Sequence, residues 1–172
     1  MATIFRQTSS AIVPIRIWPF NAWLTLQGIE TLPLRMDRTC DNSLALAKFL
    51  QSHPKVEWVR YAGLPNHPDH ALAQRQMGGR ASGILSFGLK SSEADPRAAG
   101  ARFLDALDLF TRLVNIGDAK SLATHPASTT HRQLDAAEME KAGVSENMVR
   151  LSVGIEHIDD LQADLAQALD KV

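Results

Sequence analysis

The chain has one cysteine, Cys40, one tyrosine, and only 6% aromatic residues in a length of 172. A single thiol makes no intrachain disulfide and no cysteine-based zinc site. No apolar run approaches the roughly 18 residues that a membrane span needs. Neither sign of charge dominates: 18 Lys and Arg stand against 19 Asp and Glu, for a net charge of −1. That balance speaks against a broad nucleic-acid surface or a polybasic membrane anchor. There is no G-x-x-x-x-G-K-[ST] phosphate loop and no nucleophile elbow. The segment Gly78-Gly79-Arg80-Ala81-Ser82-Gly83 leads into a strand pattern instead of leaving one, the wrong order for a dinucleotide site. It reads as a flexible turn. What is present is ordinary: 45% hydrophobic and 22% charged residues, in a length that suits one domain with its own core. These features predict a cytoplasmic α/β domain.

Residues 1–20 hold Arg6 and Arg16, and the first acid is Glu30. Basic and acid-free is the composition of a transit peptide, but Pro14 interrupts the apolar residues 11–13, so no signal-peptide core forms. The expectation for residues 1–18 is an atypical leader. A helical pattern covers 21–50, bent at Pro33, which lacks the amide hydrogen for the preceding turn. Strands are expected over 56–61, 84–89, 112–116 and 148–156. The last is the clearest, because Val149, Leu151, Val153 and Ile155 alternate with Arg150, Ser152, Gly154 and Glu156. Helices are expected around 71–77, from Asp95-Pro96 onward, over 134–141, and at the end, where Ile158, Leu161, Leu165, Leu169 and Val172 share a face. Residues 117–131 read as a loop, too polar and proline-broken for the core. Four strands interleaved with helices predict an α/β (α+β) two-layer sandwich, a small, mostly antiparallel sheet with helices on one face.

Arg150 projects from the polar side of the last strand, with Ser152 pointing the same way. A guanidinium is a rigid fork that matches a carboxylate bidentately and stays charged at any working pH. Two readings stand side by side: a structural ion pair with a nearby Asp or Glu, or recognition of a carboxylate ligand. The segment from Asn115 to Leu122 could bring amide, carboxylate and hydroxyl groups beside it. His125 with His131, and His67 with His70, are incomplete as metal sites because zinc needs a third ligand.

From Pro19-Phe20-Asn21-Ala22-Trp23 to its end, the chain resembles the C-terminal domain of the pyridoxal-phosphate-dependent Cys/Met-metabolism enzymes. The resemblance rests on Leu26-Gln27-Gly28-Ile29-Glu30-Thr31-Leu32, Gly83-Ile84-Leu85-Ser86-Phe87, the run from Asn115 to His131, and Val149-Arg150-Leu151-Ser152-Val153-Gly154-Ile155-Glu156. Asn115-Ile116-Gly117-Asp118-Ala119-Lys120-Ser121-Leu122 and His125-Pro126-Ala127-Ser128-Thr129-Thr130-His131 look most like the O-acetylhomoserine sulfhydrylase branch. The lyases tend to carry Ser-Leu-Gly where this chain has Asn115-Ile116-Gly117.

The resemblance implies the small C-terminal domain of the fold-type I transferases over residues 19–172, with pyridoxal 5'-phosphate as cofactor. It implies that Arg150 grips the substrate α-carboxylate, that Asn115 assists it, and that Thr130 lines the pocket. The implied reaction is γ-replacement of acetate by sulfide or a thiol, in transsulfuration and methionine biosynthesis. The family's Schiff-base lysine lies in a preceding large domain, in a Ser-x-Thr-Lys setting. None of Lys48, Lys55, Lys90, Lys120, Lys141 and Lys171 has that context. The expectation is therefore a chain that binds substrate, needs an upstream cofactor-binding domain as partner or self-associates, and is inactive alone. Partners in nucleic acid or membrane are not expected. A catalytically silent interaction or carboxylate-binding domain is the alternative, as is methionine γ-lyase or cystathionine lyase activity. Trp18, Phe20 and Trp23 are candidates for an exposed docking surface or for burial beneath the first helix.

Overall fold

A computed structural model describes residues 18–90 and 95–172, which fall into two units, one ending at Leu34 and one running Arg35–Val172. In the first, α1 (Pro19–Glu30) opens with proline at the first helical turn, where a missing amide hydrogen is harmless. None of its residues is buried; Trp18, Phe20 and Trp23 are 74%, 65% and 54% exposed. Burial of these aromatics beneath the first helix is thereby overturned, because Phe20 and Trp23 are part of that helix and their rings pack on each other, 5.9 Å between centroids. The expected bend at Pro33 is a break: α1 stops before Thr31 and α2 (Leu32–Ser52) follows. Proline at 33 has no hydrogen to give the Ile29 carbonyl.

The second unit continues with β1 (Val56–Arg60), α3 (His70–Gln76), β2 (Ile84–Leu89), α4 (Pro96–Asp105), β3 (Thr111–Arg112), β4 (Leu122–Thr124), a 3-10 turn (Pro126–Ser128), α5 (Ala136–Lys141), β5 (Met148–Ser152) and α6 (Ile158–Leu169). The sheet order is β1-β2-β5-β4-β3, antiparallel at every pairing except β3 with β4. This is the small, mostly antiparallel sheet of the expected two-layer sandwich. Alternation puts Leu85 and Phe87 of β2 and Val149 and Leu151 of β5 on one side. There they meet Leu46 and Leu50 of α2, Phe103 of α4, and Leu161 and Leu165 of α6, each no more than 1% exposed. Phe87 and Phe103 stand edge to face at 5.7 Å and 84°. Met148, on the opposite side from Val149, joins a smaller cluster with Leu134, Ala127, Met139 and Val144.

Three sequence expectations are corrected. Residues 117–131 are not a plain loop: they contain β4, and 121–127 are all buried. Their polar atoms are satisfied inside the fold, which is what makes burial tolerable: Ser121 bonds Glu156, and His125 bonds Ser128 and the Glu146 carbonyl. The strand expected over 112–116 shrinks to Thr111–Arg112, because its pairing ends at Ala123. Beyond that, Leu113, Val114 and Ile116 stand 49%, 53% and 64% exposed. The strand expected over 148–156 ends at Ser152, after which the chain turns through Gly154.

Candidate functional site

Pairing of β5 between β2 and β4 sets Ser86 and Thr124 directly opposite Arg150, on the side of the sheet away from Leu85 and Leu151. Arg150 is half-buried. Its Nε is enclosed without a hydrogen-bond partner, and its Nη2 donates to the Asn115 carbonyl at 3.4 Å. Among the described residues no carboxylate pairs with it; the ion pairs involve Arg80, Arg97, Arg112 and His157 instead. The structural ion-pair reading therefore has no partner here. A guanidinium offers five donors, and a half-buried one left mostly unpaired is held ready for an anion.

Of the residues singled out from the sequence, Asn115 is brought to Arg150 and Thr130 is not. Asn115 contributes its main-chain carbonyl, while its Oδ1 accepts from the Ile116 amide at 2.9 Å. Thr130 is exposed and its hydroxyl lies 2.8 Å from His131 Nδ1. The polar groups expected from the 115–122 segment are mostly turned to local backbone: Asp118 Oδ1 accepts from the Lys120 amide at 3.1 Å.

Sequence reasoning passed over Thr124 and Thr129. Thr124 sits across from Arg150, and its hydroxyl is 3.3 Å from that of Thr129, which donates to the His125 carbonyl at 2.8 Å. Strand register could have found Thr124, while Thr129 comes to it only through the fold of the 3-10 turn. Both border a groove of about 500 Å³ walled by Leu104, Leu113, Val114 and Ala123; Arg150 does not line it.

The turn after β4 is fixed by His125, which is fully buried. Its Nε2 donates to the Glu146 carbonyl at 2.8 Å, so in the neutral ring Nδ1 accepts from Ser128 Oγ at 2.9 Å. Burial, aided by the Arg97 charge and opposed by the bond to Glu146, holds its pKa below the usual histidine value. α4 passes over this ring at Gly100, where any Cβ would fall within the imidazole. Cys40 donates its thiol hydrogen to the Ala81 carbonyl, and burial pushes its pKa up, the opposite of a reactive thiolate.

Among the described residues, no group of three His, Cys, Asp or Glu side chains could hold a metal ion, and no helix is long and apolar enough to cross a membrane. Lys48, Lys55, Lys90, Lys120, Lys141 and Lys171 are all exposed. A lysine that condenses with a carbonyl cofactor is normally desolvated or set beside another cation, so that its amine loses its proton. The described residues fit an anionic ligand at Arg150. They do not fit a covalently held carbonyl cofactor.

Residues 8–170 match the family described as Cys/Met metabolism PLP-dependent enzyme. The chain is 50% identical over 151 residues to an O-acetyl-L-homoserine sulfhydrylase of Thermus thermophilus, covering 88% of this chain and 35% of that protein. It is 51% identical over 151 residues to an L-methionine gamma-lyase of Pseudomonas deceptionensis, covering 88% and 37%. A crystal structure from Campylobacter jejuni, titled an O-acetylhomoserine (thiol)-lyase with a pyridoxyl-lysine phosphate, superposes with a TM-score of 0.78 at 44% identity, covering 88% of this chain and 35% of that one. The chain thus spans about a third of the length of the relatives it matches.

Proposed function

The chain belongs to the Cys/Met metabolism PLP-dependent enzyme family, and we propose that it is the C-terminal, substrate-binding part of an O-acetylhomoserine sulfhydrylase. The observation that carries this reading is Arg150: half-buried, its Nε unpaired, and without a carboxylate partner among the described residues. Arg150 takes the substrate α-carboxylate through its fork, and Asn115 assists from the adjoining loop. Pyridoxal phosphate, held by the remainder of the enzyme, would supply an electron sink for the bonds to the α and β protons. In the net replacement acetate would leave the γ carbon with its bonding pair, sulfide or a thiol would bond there and release its proton, and the α and β carbons would regain theirs. The contribution of Arg150 is positional, fixing the α-carbon in the orientation the proton loss requires.

Identity alone does not separate sulfhydrylase from γ-lyase, since both classes of relative reach about the same value, 50% and 51%. Asn115-Ile116-Gly117, where the lyases tend to carry Ser-Leu-Gly, supports the sulfhydrylase branch. The exposed apolar residues of α1 support a partner in the form of an upstream cofactor-binding domain, or self-association when that domain is lacking. The six exposed lysines favour a second reading for the chain by itself: a carboxylate-binding domain with no turnover.

The test is to combine the chain with a separately expressed upstream domain from a homologous sulfhydrylase. Sulfide-dependent homocysteine formation from O-acetylhomoserine, exceeding elimination from methionine, is the expected result. Dominant elimination from methionine would assign the γ-lyase activity instead, and no turnover from a folded pair would leave the non-catalytic reading.

A further inference from the structure

The loop that carries Asn115 has its other end fastened by a set of polar contacts that the proposed chemistry does not use. Glu156, just past β5, accepts two hydrogen bonds from Ser121: one from the amide at 2.6 Å and one from the hydroxyl at 2.9 Å. Ser121 Oγ in turn accepts from the Gly154 amide at 2.8 Å, and the Ile155 amide donates to the Ala119 carbonyl at 3.0 Å. Asn42 of α2, 2% exposed, donates its side-chain amide to the carbonyls of Gly154 at 3.1 Å and Glu156 at 2.9 Å. Gly154 has no room for a side chain, because a Cβ would meet the Ala119 carbonyl, the Lys120 backbone and the Glu156 carboxylate. Three segments thus meet around Glu156: the 115–121 loop at its carboxylate, α2 at its main-chain carbonyl, and the exit of β5 that carries it. Six residues upstream of Ser121, the same loop delivers the Asn115 carbonyl to Arg150 Nη2.

We infer that Glu156 is a positioning residue: acting through Ser121, it holds the loop so that the Asn115 carbonyl orients the Arg150 guanidinium for its carboxylate. The inference rests on reading Arg150 as the carboxylate grip. A carboxylate is the group the position requires, because both donors of Ser121 point at it and it can accept both. An amide at 156 keeps the shape but can accept through one oxygen only, so one Ser121 donor loses its acceptor. The loop then keeps only one of its two bonds to residue 156, and Arg150 loses a fixed neighbour while its own atoms stay unchanged.

The experiment uses the 172-residue chain and reads the side-chain Nε–H nuclear magnetic resonance signal of Arg150, assigned by its loss in Arg150→Ala. L-methionine serves as the probe, with methioninamide as the counterpart lacking the carboxylate. In Glu156→Gln, the Arg150 signal is expected to move toward that of a solvent-exposed arginine, and methionine affinity to fall roughly fivefold or more. Methioninamide binding should not change. An unshifted signal and unchanged affinity, with only a lower melting temperature, would overturn the inference and make Glu156 merely structural. If Arg150→Ala itself leaves methionine binding intact, the carboxylate reading fails, and that outcome is separate from any effect of Glu156. Should Glu156→Gln not fold, Ser121→Ala removes the hydroxyl with its bonds to Glu156 and from the Gly154 amide and keeps the backbone bond; the same shift and weakening support the inference, and their absence overturns it.

Discussion

Arg150 could be read in two ways from the sequence, as half of an ion pair or as a ligand-binding cation, and nothing in the linear pattern separates them. Separation comes from three dimensions, where no described carboxylate pairs with Arg150 and its guanidinium meets a backbone carbonyl. Asn115 was legible as a partner, but not that its main chain makes the contact. The partners of His125 were invisible, because Gly100 and Glu146 are distant in sequence and meet it only in the fold. Gly100→Ala should therefore destabilise the domain by about 2 kcal/mol, since a methyl must displace a buried ring; a melting temperature equal to wild type would contradict that packing. The buried ring also sets a pH dependence. Unfolded histidine takes up a proton near pH 6.5 and folded His125 only at lower pH, so stability is whole above the unfolded value and declines as the pH falls below it. Urea unfolding should therefore show a stability that falls as the pH drops below about 6.5. That fall should shrink in His125→Gln, and an equal pH dependence in the two proteins would contradict a neutral buried imidazole.

At the scale of elements, the strongly alternating strand beginning at Met148 and the amphipathic last helix were legible, because burial on one side writes a period into the sequence. β4 was not, because a three-residue strand followed by His125-Pro126 carries no period, and its burial depends on polar partners from other segments. The apolar run after Arg112 misled in the opposite direction, since hydrophobic residues without a strand to pair with stay exposed. Another long-range clamp had no sequence signal: Asp164 of α6, 6% exposed, accepts from the amides of Asp108 at 2.8 Å, Leu109 at 3.0 Å and Phe110 at 3.0 Å. It ties the turn before β3 to the last helix. Asp164→Ala leaves those donors without their acceptor and should cost about 3 kcal/mol. Measured by denaturant unfolding, a loss within about 0.5 kcal/mol of zero would mean that the clamp contributes little.

For the whole molecule, α1 is the feature that a stand-alone domain does not explain. A helix apolar around its circumference belongs in an interior, yet none of its residues is buried. The chain covers about a third of its relatives, and such an exposed apolar surface is one that association would cover. By itself the chain should elute in size exclusion as a species larger than a monomer. Replacing Trp18, Phe20 and Trp23 by serine should shift it to the monomer position, and a wild-type chain that is monomeric at high concentration would contradict this. The central claim, that Arg150 binds the substrate α-carboxylate, is tested most directly on the chain combined with the upstream domain of a homologous sulfhydrylase. The measurement is kcat/KM for O-acetylhomoserine and for its α-carboxamide, with and without Arg150→Ala. The wild-type pair should favour the acid by about a hundredfold or more, and the substitution should erase that preference by slowing the acid alone. A variant that still prefers the acid by the full wild-type factor would show that the carboxylate is held by something other than Arg150.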